Sequence, residues 1–220
     1  MEQIELLREK IRIIMNKYCL LITILTVLVS CQNKSDNNPL KHEKITLVAE
    51  LDTSKFKSEP IATEFDYPVG KPDGNGYYNA QKFGQNLHLG DDWNSVKGGN
   101  SDLGNPIYAV ANGYVKFAED IGGGWGKVVR IEHELVNGAM VESLYAHCNA
   151  IRVEEGSWVE KGEQIATIGT ANGHYLAHLH FEIRDDITLP VGGGYSQNTE
   201  GYLDPTAFLD ENRTIKHKAK

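Results

Sequence analysis

Residues 177–184 read AHLHFEIR, two histidines one residue apart at the head of an apolar, β-prone run. Side chains two apart on a strand share a face, so His178 and His180 project side by side while Leu179, Phe181 and Ile183 fill the other face. Such a pair more often faces solvent or a hydrogen-bond partner than a metal, so its meaning depends on partners elsewhere. Residues 86–94, NLHLGDDWN, offer them: His88 and Asp92 lie four apart, with Gly90 permitting a tight backbone path between them. A catalytic zinc keeps three protein ligands and leaves the fourth position to water; histidine nitrogen at roughly 2.0–2.1 Å and aspartate oxygen both suit it. His147, in SLYAHC, adds a further imidazole at the end of a predicted strand. A neutral imidazole near pH 7 accepts a proton from water and delivers it to a leaving amine. The chemistry these five residues offer together is metal-assisted hydrolysis.

The elements that must position them are short strands. From residue 106 onward, PIYAVANGYVKFAE, KVVRIEH, MVESLYAH, EQIATIG and HLHFEIR alternate with glycine-bearing turns. No stretch after residue 40 sustains an apolar period of 3.6, so helix is expected to be scarce. The economical reading is one all-β domain of antiparallel sheets over residues 45–210, opened by a short strand at ITLVAEL (45–51) and followed by a polar tail over 211–220. IGGGWGK (121–127) reads as a hairpin turn between two strands. GNGYY (74–78) and VGGGYSQ (191–197) are expected to line a groove that takes a peptide of few charges through backbone hydrogen bonds.

The first thirty residues have a different character. Arg8, Lys10, Arg12 and Lys17 precede an uncharged apolar run, YCLLITILTVLVS, at 18–30. The run is shorter than the roughly 20 residues of a spanning helix and fits the apolar core of a secretory signal helix. It ends LVSC, which resembles the lipobox of bacterial lipoproteins, so residues 1–31 are expected to be a lipoprotein signal with Cys31 as the lipidated residue. Met15 is an alternative start that leaves a compact signal. QNKSDNNPLKHEK (32–44), polar and without aromatics, reads as a flexible tether. Of three cysteines only Cys148 falls within the domain, so no disulfide staples it. A formal net charge of −8 provides no cationic footprint for nucleic acid.

The order of motifs resembles peptidase family M23, the lysostaphin-type zinc endopeptidases of bacterial cell walls. The residues that carry the likeness are HLGDD at 88–92, GNPIYAVANGYV at 104–115, YAH at 145–147, VEEGSWVEKGEQIATIG at 153–169, HLHFE at 178–182 and the trailing LDPTAFL at 203–209. The resemblance implies a compact β fold of the duplicated-hybrid-motif kind. It also implies one zinc per chain, held by His88, Asp92 and His180, with His147 and His178 as catalytic histidines beside it. It implies an endopeptidase acting on peptide cross-links of peptidoglycan, anchored to a membrane through Cys31 in the cell envelope. Gln32 after the cysteine is compatible with outer-membrane sorting in a double-membraned cell. The alternative is a catalytically silent activator of cell-wall amidases, as some family members are. The chain departs from the family at Cys148, where leucine or methionine is usual; the cysteine is expected to face the packed interior. His133 is expected to be a structural or site-wall residue, and His42, His174 and His217 to lie on the surface.

Overall fold

The β-branched and aromatic runs form eleven strands and one α-helix in a computed structural model that describes residues 60–213. The expected signal segment with Cys31, the tether, the ITLVAEL strand, His42 and His217 lie outside the described residues. The strands are β1 (Tyr77–Gln81), β2 (Asp91–Ser95), β3 (Pro106–Tyr108), β4 (Gly113–Asp120), β5 (Lys127–Glu134), β6 (Met140–Cys148), β7 (Ala150–Ile151), β8 (Trp158–Val159), β9 (Gln164–Thr167), β10 (Leu179–Arg184) and β11 (Tyr202–Leu203). All pairings between them are antiparallel, as the sequence suggested. The larger sheet runs β1-β2-β10-β6-β5-β4-β8, with β11 also on β10; β3-β9-β7 forms a smaller one. No helix among the described residues is long and apolar enough to cross a membrane.

β10 lies inside the large sheet, between β2 and β6, and its six residues are all buried. Leu179, Phe181 and Ile183 enter the main core with Val129, Ile131, Tyr145, Ile165 and Ile168, residues drawn from both sheets. Burying side chains of this size contributes on the order of 1.5–3 kcal/mol each. The opposite face of β10 is polar. His180, Glu182 and Arg184 stand there in register with Ala146, Leu144 and Glu142 of β6. A smaller apolar cluster of Val128, Leu144 and Ala146, packed by Trp125 and Val191, covers part of this second face.

The helix α1 (Pro205–Asn212) grows out of LDPTAFL. Asp204 caps it by accepting from the Ala207 amide, and Pro205 occupies the first turn, where its missing N–H costs nothing. Leu209 is buried and Phe208 meets Phe65 edge-on at 5.0 Å. The helix carries past residue 210: the Phe65 amide donates to the Asn212 carbonyl, so Glu211 and Asn212 belong to the fold rather than to a polar tail.

Candidate active site

β2 and β10 lie side by side, with His180 directly opposite Asp92. This pairing brings the HLGDD loop onto the head of the HLH strand. His88 Nε2 lies 3.0 Å from His180 Nδ1 and 3.3 Å from Asp92 Oδ1, and His180 Nδ1 lies 3.0 Å from the same Asp92 oxygen. His88, Asp92 and His180 are also the one group of three metal-ligating side chains that converge among the described residues.

Three such atoms so close together need positive charge among them, either a shared proton or a metal cation. Donors placed tetrahedrally at 2.0–2.1 Å from one zinc ion are separated by about 3.3 Å, so the triangle already has the spacing such an ion requires. His88 is completely buried, and its other nitrogen, Nδ1, has no protein partner. The polar environment of that ring is therefore the triangle itself. Burial opposes charge on both Asp92 and His180, yet their mutual hydrogen bond prevails. Asp92 is held well below the usual carboxylate range by His180 and His88, and His180 is lifted to about 9 by Asp92 and Glu182. The donor set fits a divalent cation of the zinc type.

Gly90 lets the loop approach. A Cβ there would stand 2.5 Å from the Phe181 carbonyl oxygen, 2.8 Å from Glu182 Cγ and 3.1 Å from His180 Cε1. Its role is close contact with β10 rather than the tight backbone path expected from sequence.

His147 and His178 flank the triangle. Their rings meet edge-on at 4.7 Å, and the His147 ring lies 5.5 Å from that of His180. His178 Nδ1 is bonded to the Leu176 carbonyl at 2.8 Å and His147 Nδ1 to the Trp125 carbonyl at 3.3 Å. A carbonyl only accepts, so both rings carry their proton on Nδ1 and leave Nε2 as the acceptor. Burial, reinforced by the neighbouring His180 and His178, pulls His147 down to about 3.

His147 reaches this position through a break in the strand. Regular alternation along β6 would send it to the core with Ser143 and Tyr145, beside Leu179. Instead the β5–β6 register shifts between Lys127 and Val129, and His147 adopts φ 62°, a left-handed conformation uncommon for a residue with a Cβ. Its amide donates to the Trp125 carbonyl at 3.0 Å, which holds the break in place. Cys148 consequently turns into the core, 2% exposed, and burial pushes its thiol up to about 12. Cys148 faces the interior as expected, through the break rather than through simple alternation, and is no nucleophile.

A groove of about 390 Å³ is lined by Asp92, His147, His178 and His180 together with Trp125, Tyr175, Tyr195, Gly124, Gly193 and Gly194, while His88 is fully buried and outside its lining. Tyr195 lies over His88, Trp125 over His180 and Tyr175 over His147. VGGGYSQ thus does line the groove, and IGGGWGK is both the β4–β5 hairpin turn and part of the wall. GNGYY does not: Tyr77 is half-buried against the core with its hydroxyl bonded to Asn105, and the neighbouring strand residue Gln81 reaches the groove instead. His133 is a core residue, bonded to the Asn112 carbonyl and the Ser143 hydroxyl, and His174 is exposed. Sequence reasoning passed over Glu182, which accepts from His180 Nε2 at 2.9 Å. The period-2 rule that paired His178 with His180 places Glu182 on the same face.

The profile of peptidase family M23 matches residues 93–194, a span that contains His147, His178 and His180 and begins just after Asp92. Lipoprotein NlpD of Yersinia enterocolitica is 41% identical over 81 residues, which cover 37% of this chain and 78% of that protein. The chain belongs to peptidase family M23. A second relative, the murein hydrolase activator EnvC of Escherichia coli (strain K12), is 31% identical over 121 residues, 53% of this chain but only 27% of its own length. In fold, the chain is similar to lysostaphin of Staphylococcus simulans, with a TM-score of 0.50 at 20% identity over 72% of this chain and 58% of that one.

Proposed function

We propose that this M23 domain is a zinc metallo-endopeptidase that hydrolyses peptide cross-links of bacterial peptidoglycan. One observation carries the reading: His88 Nε2, Asp92 Oδ1 and His180 Nδ1 converge within 3.3 Å of one another, and Asp92 and His180 line an open groove. His88, Asp92 and His180 would hold one zinc ion per chain. When bound, zinc supplies a Lewis acid that polarises a carbonyl oxygen and makes water a nucleophile near neutral pH.

The chain's own residues provide the proton chemistry. His147 and His178 each present Nε2 as an acceptor, with Nδ1 bonded to a backbone carbonyl that orients the ring. A ring so placed can take the proton of the attacking water and return it to the amine that leaves, a transfer that burial makes harder for His147. A protonated ring beside the reacting carbonyl also donates to the oxygen on which charge develops, typically worth roughly 3 kcal/mol. The lining glycines let a peptide backbone lie close to these rings.

The domain is proposed to work from a lipid anchor at Cys31, on the cell-envelope side of the membrane, with the 32–44 tether giving it reach. The names of relatives fit this location: NlpD of Yersinia enterocolitica is called a lipoprotein. Relatives also support a second reading. EnvC of Escherichia coli is named a murein hydrolase activator, so this chain is alternatively a partner that switches on a separate wall hydrolase.

Incubating the purified full-length protein with peptidoglycan and reading new amino termini by mass spectrometry separates the two. The endopeptidase reading expects about one zinc per chain and new amino termini. Zinc without cleavage of any wall type, together with stimulation of an added amidase, would establish the activator instead.

A further inference from the structure

The face of β10 that carries His178 and His180 continues through Glu182 and Arg184, all at a spacing of two. Both of the later residues are completely buried, and charges so deep are costly unless paired. Their pairing has a direction. Glu182 Oε1 accepts from His180 Nε2 at 2.9 Å, and Glu182 Oε2 accepts from Arg184 Nε and Nη2 at 2.8 and 2.6 Å. The remaining Arg184 donors turn away from the strand: Nη1 reaches the Pro190 carbonyl at 3.0 Å and Nη2 the Val191 carbonyl at 2.8 Å. Arg130 holds the preceding Leu189 carbonyl at 2.7 Å.

The segment so held leads straight to the groove. The Gly192 carbonyl accepts from Trp125 Nε1. The Gly194 carbonyl accepts from the Leu89 amide, and the Ser196 amide donates to the Leu87 carbonyl, both at 2.9 Å. His88 therefore sits between two backbone bonds to the segment that Arg184 holds. The chain of contacts closes on itself: His180, Glu182, Arg184, residues 190–196, Leu87 and Leu89, His88, and back to His180 at 3.0 Å.

We propose that Glu182 and Arg184 are positioning residues that hold the two imidazole donors at ligating distance. Glu182 fixes the His180 ring so that Nε2 carries the proton and Nδ1 faces the ion, and Arg184 ties the strand bearing His180 to the segment that clamps His88. The inference rests on the proposed zinc site. An outer partner of this kind typically changes metal affinity 10- to 100-fold.

The test uses the full-length protein and zinc alone. Glu182→Gln keeps an acceptor for His180 but loses the charge that Arg184 binds; Arg184→Lys keeps the charge but cannot span Glu182 and two carbonyls at once. Each is expected to bind zinc roughly 10- to 100-fold more weakly in a chelator competition run on the folded protein, with a melting temperature lowered by the loss of the buried pairing. Arg184→Lys is also expected to speed amide exchange across residues 190–196. Affinity within twofold of the unaltered protein in both variants would overturn the inference while leaving the zinc site standing. An unaltered protein that binds no zinc would overturn the site and the inference together. If the variants fail to fold, nitrogen-15 NMR of the zinc-loaded unaltered protein decides. A slowly exchanging proton on His180 Nε2 supports the proposal, and a proton on Nδ1 overturns it.

Discussion

Replacing Gly90 by alanine tests whether the approach of the HLGDD loop to β10 sets the ligand spacing. The added Cβ would lie 2.5 Å from the Phe181 carbonyl oxygen, while ordinary contact begins near 3.4 Å, so the two segments must part by about 0.9 Å. The obstructing atom is backbone in an interior strand of the sheet and cannot swing aside. If the parting passes to the side chains, the Asp92–His180 pair opens from 3.0 Å to about 3.9 Å, beyond the roughly 3.3 Å of tetrahedral zinc donors. Overpacking of this kind costs about 1–3 kcal/mol, or roughly 2–12 °C in Tm for a domain of this size. Zinc affinity should fall by at least roughly tenfold, as for loss of an outer partner. Gly193→Ala is the internal control, since a Cβ there meets nothing within 4 Å although the residue lines the groove. Differential scanning fluorimetry and chelator competition on the two variants give the answer. Gly90→Ala with the Tm and zinc affinity of the unaltered protein would refute the reasoning.

Three further outcomes are expected, two from the structure and one from the sequence. His147→Ala should retain zinc and lose most turnover, because His147 faces the groove but takes no part in the donor triangle; zinc loss, measured by elemental analysis, would show its role to be misassigned. Burial holds the His133 ring down at about 4, below its ordinary 6.5, so the unfolded chain binds the extra proton first between those values. The corresponding stability is present above pH 6.5 and lost as pH falls toward 4, roughly 3 kcal/mol at about 1.36 kcal/mol per pH unit. Urea titrations at pH 7 and pH 4 should therefore show a shallower loss for His133→Asn than for the unaltered protein. Cys31→Ser should release the protein from the membrane fraction, and a variant that still sediments with membranes would count against the lipid anchor.

Much of the site was legible because strand geometry is local. The spacing of two in HLHFEIR placed His178 and His180 on one face before any fold was known, and the same rule extends to Glu182 and Arg184. Helix α1 was also within reach: an aspartate followed by proline is a helix-start signal, and Asp204 and Pro205 act as one. His147 was different. Period two groups it with Tyr145, a core residue, and only the left-handed turn held by the Trp125 carbonyl delivers it to the groove. That carbonyl belongs to a hairpin some twenty residues upstream, so no reading of SLYAHC alone could supply it. The closure between Arg184 and the Leu87–Leu89 backbone is likewise a property of the assembled sheet. Tyr77 was misread because an aromatic in a glycine-rich stretch looks like a binding surface, whereas its half-buried ring packs on the core.

The most direct test of the whole account is X-ray absorption at the zinc edge on the full-length protein loaded with one equivalent of zinc. The expected spectrum has two imidazoles and oxygen donors in one shell at about 2.0–2.1 Å with no sulfur. A sulfur shell near 2.3 Å, or a spectrum indistinguishable from zinc free in buffer, would contradict the convergence of His88, Asp92 and His180 on a single ion.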